Sequence, residues 1–151
     1  MRKLLILIAL PILFLISCND DDDDAAVQLK KDIALIQDYL ADSNLTAQST
    51  DSGLHYIIDE QGSGVRPTYS SIITVVYTGR LLNGEVFDSG EITIQLFKLI
   101  EGWQEGMQLF NEGGKGKLLI PSALGYGSES QGSIPANSVL IFDIHLKTVI
   151  D

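Results

Sequence analysis

The chain is poor in the residues that most chemistry draws on. It has one cysteine, Cys18, so a disulfide within the chain is impossible and a cysteine-rich metal site is excluded. Its two histidines, His55 and His145, lie far apart in sequence, and no Ser-His-Asp or Cys-His set can be assembled from motifs. Basic residues are scarce: 10 stand against 20 acids, for a formal charge of -10. A nucleic-acid partner is therefore not expected, because phosphates must be met by Lys and Arg. The one long apolar run, Leu4–Ile16, falls short of the roughly 20 apolar residues of an ordinary membrane-spanning helix.

What is present starts with a leader. Arg2 and Lys3 precede the Leu4–Ile16 run, the pattern of a secretory signal spanning residues 1–17. Leu15-Ile16-Ser17-Cys18 then resembles a bacterial lipoprotein lipobox. That resemblance implies cleavage before Cys18, lipid attachment to it, and a place on the cell envelope, at the outer membrane on its periplasmic or outer side. Stable anchoring takes more than one acyl chain. Asn19–Asp24 (NDDDDD) reads as an extended, self-repelling tether. It also resembles the export signal of some surface lipoproteins.

Residues 18–52 continue with an amphipathic helix, Val27–Ala41, in which Val27, Ile33, Ile36 and Leu40 share a stripe. Three roles fit it: packing on the following domain, pairing with a second copy as a dimer, or spacing the domain from the membrane. Thr46–Ser52 reads as linker.

Residues 53–151 are the folded unit. Gly53–Ile58 alternates as a strand. Ser71–Leu82 is a second strand, apolar enough on both faces to be central and buried on both. Asn83-Gly84 signals a hairpin, since both residues tolerate the positive φ of a type I′ turn. Glu85–Asp88 returns from it, and Ile92, Ile94 and Leu96 alternate in a further strand. Ile100, Trp103, Met107 and Phe110 mark one face of a short helix, stopped by Gly113-Gly114. Lys115–Ile120 and Ser138–Ile150 are the last strands, separated by the glycine-rich loop Ser122–Asn137. The expected fold is α+β: an antiparallel sheet of about five strands against one short helix.

These residues also match a known family. Val76-Tyr77-Thr78-Gly79, Val86-Phe87-Asp88-Ser89, Ile100-Glu101-Gly102-Trp103-Gln104-Glu105-Gly106, Ile120-Pro121, Gly125-Tyr126-Gly127, Ile134-Pro135 and Leu140-Ile141-Phe142-Asp143-Ile144 occur in one order across Gly53–Val149. In this set the domain resembles the FKBP-type peptidyl-prolyl cis-trans isomerases. The resemblance implies a half-wrapped sheet with proline bound between sheet and helix, no cofactor and no metal. It implies catalytic roles for Tyr77, Asp88, Ile100 and Tyr126, and substrate contacts from Phe87, Leu99, Trp103, Ile134 and Phe142. Trp103 would floor the pocket, the Ile100 N–H would hold one substrate carbonyl, and the Tyr126 hydroxyl another.

Three departures stand out. Ser89, Gly90 and Glu91 follow Asp88 where some members carry a base; Ile92 and Ile94 replace aromatic residues; Leu124 occupies the place of a possible loop tyrosine. The first leaves Asp88 without a basic partner.

An apolar cup suits prolyl rotation. Twisting the amide costs about 18–20 kcal/mol in water. The twisted form is less dipolar, so desolvation favours it, and each tenfold gain needs about 1.4 kcal/mol of preferential binding. The partners implied are proline-containing polypeptides. Against the enzyme stand a binding module or chaperone using the same cup, and a tethered structural domain assembled through Val27–Ala41.

Overall fold

A computed structural model describes the chain from Asp20 to Asp151, with side chains from Asp24 onward. The leader, the lipobox and Cys18 lie outside the described residues.

The fold is α+β. Helix α1 (Asp20–Asp42) precedes strands β1 (Gln48–Ser49), β2 (His55–Glu60), β3 (Ile72–Leu81) and β4 (Val86–Gln95). Helix α2 (Glu101–Met107), β5 (Lys115–Ile120) and β6 (Leu140–Ile150) follow. The strands form one antiparallel sheet in the order β1-β2-β5-β6-β3-β4. It has six strands where about five were expected. The sixth is β1, from the segment read as linker; its two residues pair with Tyr56 and His55 but are too few to show alternation.

β3 is central, between β6 and β4, and Ile73 and Val75 are fully buried on its inner face. The outer face is open: Ile72 is 37% and Val76 38% exposed, so burial on both sides is overturned. β-branched residues serve there by cross-strand contact, as in the 2.9 Å hydrogen bond between the Thr74 and Thr93 hydroxyls.

The hairpin after β3 forms, but not with a type I′ turn. Its loop is Leu82-Asn83-Gly84, closed by Gly84 N–H to the Leu81 carbonyl and Leu81 N–H to the Glu85 carbonyl, each 2.9 Å. Only Gly84 takes positive φ, 87°; Asn83 instead accepts the Glu85 N–H on its side-chain oxygen at 3.0 Å. The two expected strands beyond are one continuous β4, in which Gly90 pairs with Tyr77.

α2 ends at Met107, earlier than the Gly113-Gly114 stop expected; Gly113 (φ 87°) turns the chain toward β5 instead. Trp103, Met107 and Phe110 are buried in the main core all the same. The helix lies close to the sheet because it presents glycines. A Cβ on Gly102 would stand 2.4 Å from Ile120 Cγ2, and one on Gly106 2.7 Å from Leu118 Cδ1.

α1 begins within the aspartate run, not at Val27, so the run from Asp20 is helical rather than extended. Acidic residues suit the positive end of the helix dipole, which offsets their mutual repulsion. Ile36 and Leu40 then bury against Leu119, Val139 and Ile141 on the outer face of the sheet. Of the three roles open to this helix, the structure shows packing on its own domain.

Ile36 is fully buried in this second core. Ile36→Ala should cost about 2–5 kcal/mol in urea unfolding, within a single transition that includes the sheet. A loss below about 1 kcal/mol, or a separate helix transition, would show that α1 is only loosely attached.

Candidate active site

Most of the side chains named from the sequence converge on the side of the sheet that faces α2. β3 supplies Tyr77, β4 supplies Phe87, Asp88 and Ile92, and β6 supplies Phe142; α2 brings Trp103 from below. Lys98, Leu99 and Ile100 form the near wall, and Tyr126 leans in from the loop after β5. Together they enclose an open cavity of about 280 Å³.

Trp103 is its floor, only 3% exposed and gripped by edge-to-face rings. Its centroid lies 5.1 Å from Phe142 at 89° and 5.4 Å from Tyr77 at 86°. Phe87 continues the pattern, 5.5 Å from Phe142 at 87°. Such geometry sets the positive edge of one ring against the negative face of the next and fixes each orientation. Gly79 makes room for it: a Cβ there would fall 2.6 Å from Phe87 and 2.8 Å from Phe142.

The rim is polar. The Tyr77 hydroxyl donates to Asp88 Oδ2 at 2.8 Å, so Asp88 has a phenol as partner where the sequence showed no base. Burial first, then the Asp88 hydrogen bond and charge and the nearby Tyr126, push the Tyr77 pKa from 10.0 up to about 12. Tyr126 is 38% exposed and lines the cavity.

Ile100 is the N-cap of α2, and its carbonyl accepts the Trp103 and Gln104 N–H groups at 2.9 and 3.1 Å. Its own N–H meets no acceptor among the described residues, and Ile100 lines the cavity. Gln104 holds this wall in place, donating from Nε2 to the Leu99 carbonyl at 2.6 Å and the Phe97 carbonyl at 3.2 Å.

Eight of the nine residues named for catalysis or substrate contact border the cavity: Tyr77, Phe87, Asp88, Leu99, Ile100, Trp103, Tyr126 and Phe142. Ile134 does not; it is 5% exposed and packs into the core cluster that contains Trp103 and Phe142. Sequence reasoning gave no role to Lys98 or Gln104. Gln104 sits inside a recognised motif, but its purpose shows only in its contacts with backbone carbonyls. Lys98, in a single 3₁₀ turn, carries no periodic signal. His55 and His145 lie in β2 and β6, and neither lines the cavity.

Folding favours the neutral Tyr77 phenol, so the stability it contributes is fully present below pH 10.0 and lost as pH rises through about 12. The difference between wild-type and Tyr77→Phe ultraviolet titrations should show one tyrosine still neutral at about pH 11. In Asp88→Asn its pKa should fall but stay above the ordinary value, because burial remains. An ordinary pKa in the wild type would contradict the observed contact.

Comparison with known proteins agrees with this geometry. The family model described as FKBP-type peptidyl-prolyl cis-trans isomerase matches residues 64–147. The FKBP-type peptidyl-prolyl cis-trans isomerase FkpA of Aeromonas hydrophila is 42% identical over 135 residues, covering 85% of this chain and 49% of that protein. The outer membrane protein MIP of Legionella longbeachae is 43% identical over 104 residues, 65% of this chain and 45% of that one. The crystal structure of FkpA from Escherichia coli superposes with a TM-score of 0.72 at 31% identity, covering 85% of this chain and 66% of that chain. The chain thus spans about half the length of the two sequence relatives. With matching motifs, matching fold and an aromatic cup in the corresponding domain, the chain belongs to the FKBP-type peptidyl-prolyl cis-trans isomerase family.

Proposed function

We propose that the chain accelerates cis-trans rotation of X–Pro bonds in exported polypeptides at the cell envelope. The observation that carries this reading is the open apolar cavity floored by Trp103, with Ile100, whose N–H meets no acceptor among the described residues, in its wall.

The proline ring sits on the Trp103 face, between Phe87, Leu99 and Phe142. The Ile100 N–H takes a substrate carbonyl, and the Tyr126 hydroxyl takes a second. Asp88 holds the Tyr77 phenol by its proton, which keeps that wall of the cup in one orientation. Ile134 supports the aromatic floor from within the core instead of touching substrate. No nucleophile is needed, because no bond is broken. Leaving water favours the twisted, less dipolar amide, and oriented donors add to that preference. A thousandfold acceleration asks for about 4 kcal/mol, within reach of these effects.

The same reading places the domain on a lipid anchor at Cys18, supported by Leu15-Ile16-Ser17-Cys18 and by the relative named as an outer membrane protein. A dimer through residues 27–41 would have to use the outer face of α1, where Val27 and Leu35 are exposed, because the inner stripe is occupied by the sheet.

Cis-to-trans conversion of an Ala-Leu-Pro-Phe type peptide by the full chain tests the activity. Acceleration is expected, with kcat/KM at least about tenfold lower in folded Trp103→Ala and Asp88→Ala variants. Peptide binding without acceleration would leave a binding module instead. For the anchor, Cys18→Ser should move the protein from the membrane to the soluble fraction; unchanged fractionation would reject lipidation.

A further inference from the structure

A buried carboxylate lies away from the cup and has no part in the chemistry above. Asp32, on α1, is fully buried. Its Oδ2 accepts both the backbone N–H of Ser122, at 2.8 Å, and the Ser122 hydroxyl, at 2.5 Å. Its Oδ1 accepts the Gln28 side-chain amide, one turn earlier on α1, at 2.7 Å. A carboxylate taken out of water costs several kcal/mol unless it is well hydrogen-bonded, and an apolar residue would fasten a helix to a sheet without that cost. Asp32 contributes direction instead: two of its three bonds go to one residue.

That residue controls a tyrosine. The Ser122 carbonyl accepts the N–H of Gly125 at 2.9 Å and of Gly127 at 2.8 Å, the positions on either side of Tyr126. The Gly127 carbonyl in turn accepts the Asn137 N–H at 2.8 Å. The loop is not held by close packing on this side. A cavity of about 410 Å³ lies between it and the start of α1, bordered by Gln28, Ser122, Gly127 and Asn137. Where the loop meets the helix, the two hydrogen bonds that Ser122 donates to Asp32 tie it down.

We infer that Asp32 is a positioning residue for the isomerase: through Ser122 it holds the loop that aims the Tyr126 hydroxyl over the cup. On this view α1 is part of the active-site scaffold and not merely a spacer. The inference rests on the isomerase reading for its catalytic readout and on the loop geometry for an independent one.

The test compares Asp32→Ala and Asp32→Asn in the full chain, each with Tyr126 intact and in a Tyr126→Phe background. Asp32→Ala should lower kcat/KM about tenfold, the loss of a charge-assisted anchor. It should have little further effect once the Tyr126 hydroxyl is gone, because the two act as one unit. Asp32→Asn, which keeps acceptor oxygen at the same place, should restore most of the rate. Amide hydrogen exchange at Gly125 and Gly127 should quicken in Asp32→Ala while β3 and β6 stay protected. An equal loss with and without the Tyr126 hydroxyl would overturn the inference, since Asp32 would then be a purely structural anchor. So would unchanged exchange at both glycines. If Asp32→Ala does not fold, Ser122→Ala, which removes one of the three bonds, takes its place in the same comparison. A wild-type chain that accelerates nothing would defeat the isomerase reading. The exchange at Gly125 and Gly127 would then decide by itself whether Asp32 holds the loop.

Discussion

The structure turns on how one indole is held. Trp103 lies edge-to-face against both Tyr77 and Phe142, so neither its depth nor its tilt is free. That grip exists only because α2 can approach the sheet closely. Gly102 and Gly106 leave no side chain between the helix and Ile120 and Leu118. Gly79 does the same on the sheet side, where Phe87 and Phe142 close over β3. Three missing Cβ atoms thus set the depth of the cup. Larger residues there would push helix from sheet or ring from ring, at the cost that overpacking usually carries.

Around this rigid floor the polar groups are few, and most are restrained by a neighbour. Burial, then the hydrogen bond to Asp88, favours the neutral Tyr77 phenol, and Gln104 ties down the Phe97 and Leu99 carbonyls beside Ile100. The loop bearing Tyr126 is braced through Ser122. A reaction that needs only desolvation and one or two aligned donors gains from such fixed groups, which pay no reorganisation when the amide twists. The acidic excess of the chain is mostly elsewhere; among the described residues Lys98 is the one cation that lines the cavity.

Much of this was legible in the chain. The spacing of Ile100, Trp103, Met107 and Phe110 placed a helix with its apolar face inward, and the alternation of β6 placed Phe142 beside it. The α+β class and the family followed from ordered motifs, though the sheet has one strand more than they indicated. What could not be read was set by tertiary context. Gln48 and Ser49 form a strand only because Tyr56 and His55 offer an edge. The outer face of β3 looked like core because β-branched residues serve cross-strand contact as well as burial. Ile134 matched a motif, yet it packs in the core and is not among the residues that line the cavity. Asp32 gave no signal at all: a lone aspartate on a predicted helix reads as solvated until Ser122, distant in sequence, is seen against it.

Trp103 is the chain's single tryptophan, so its fluorescence reports directly on the floor of the cup. Titration with a proline-containing peptide across the range that saturates turnover should give a saturable change in emission intensity as the proline ring comes to rest against the indole. Emission that stays unchanged while the peptide is turned over would place the reaction somewhere other than above Trp103 and contradict the account.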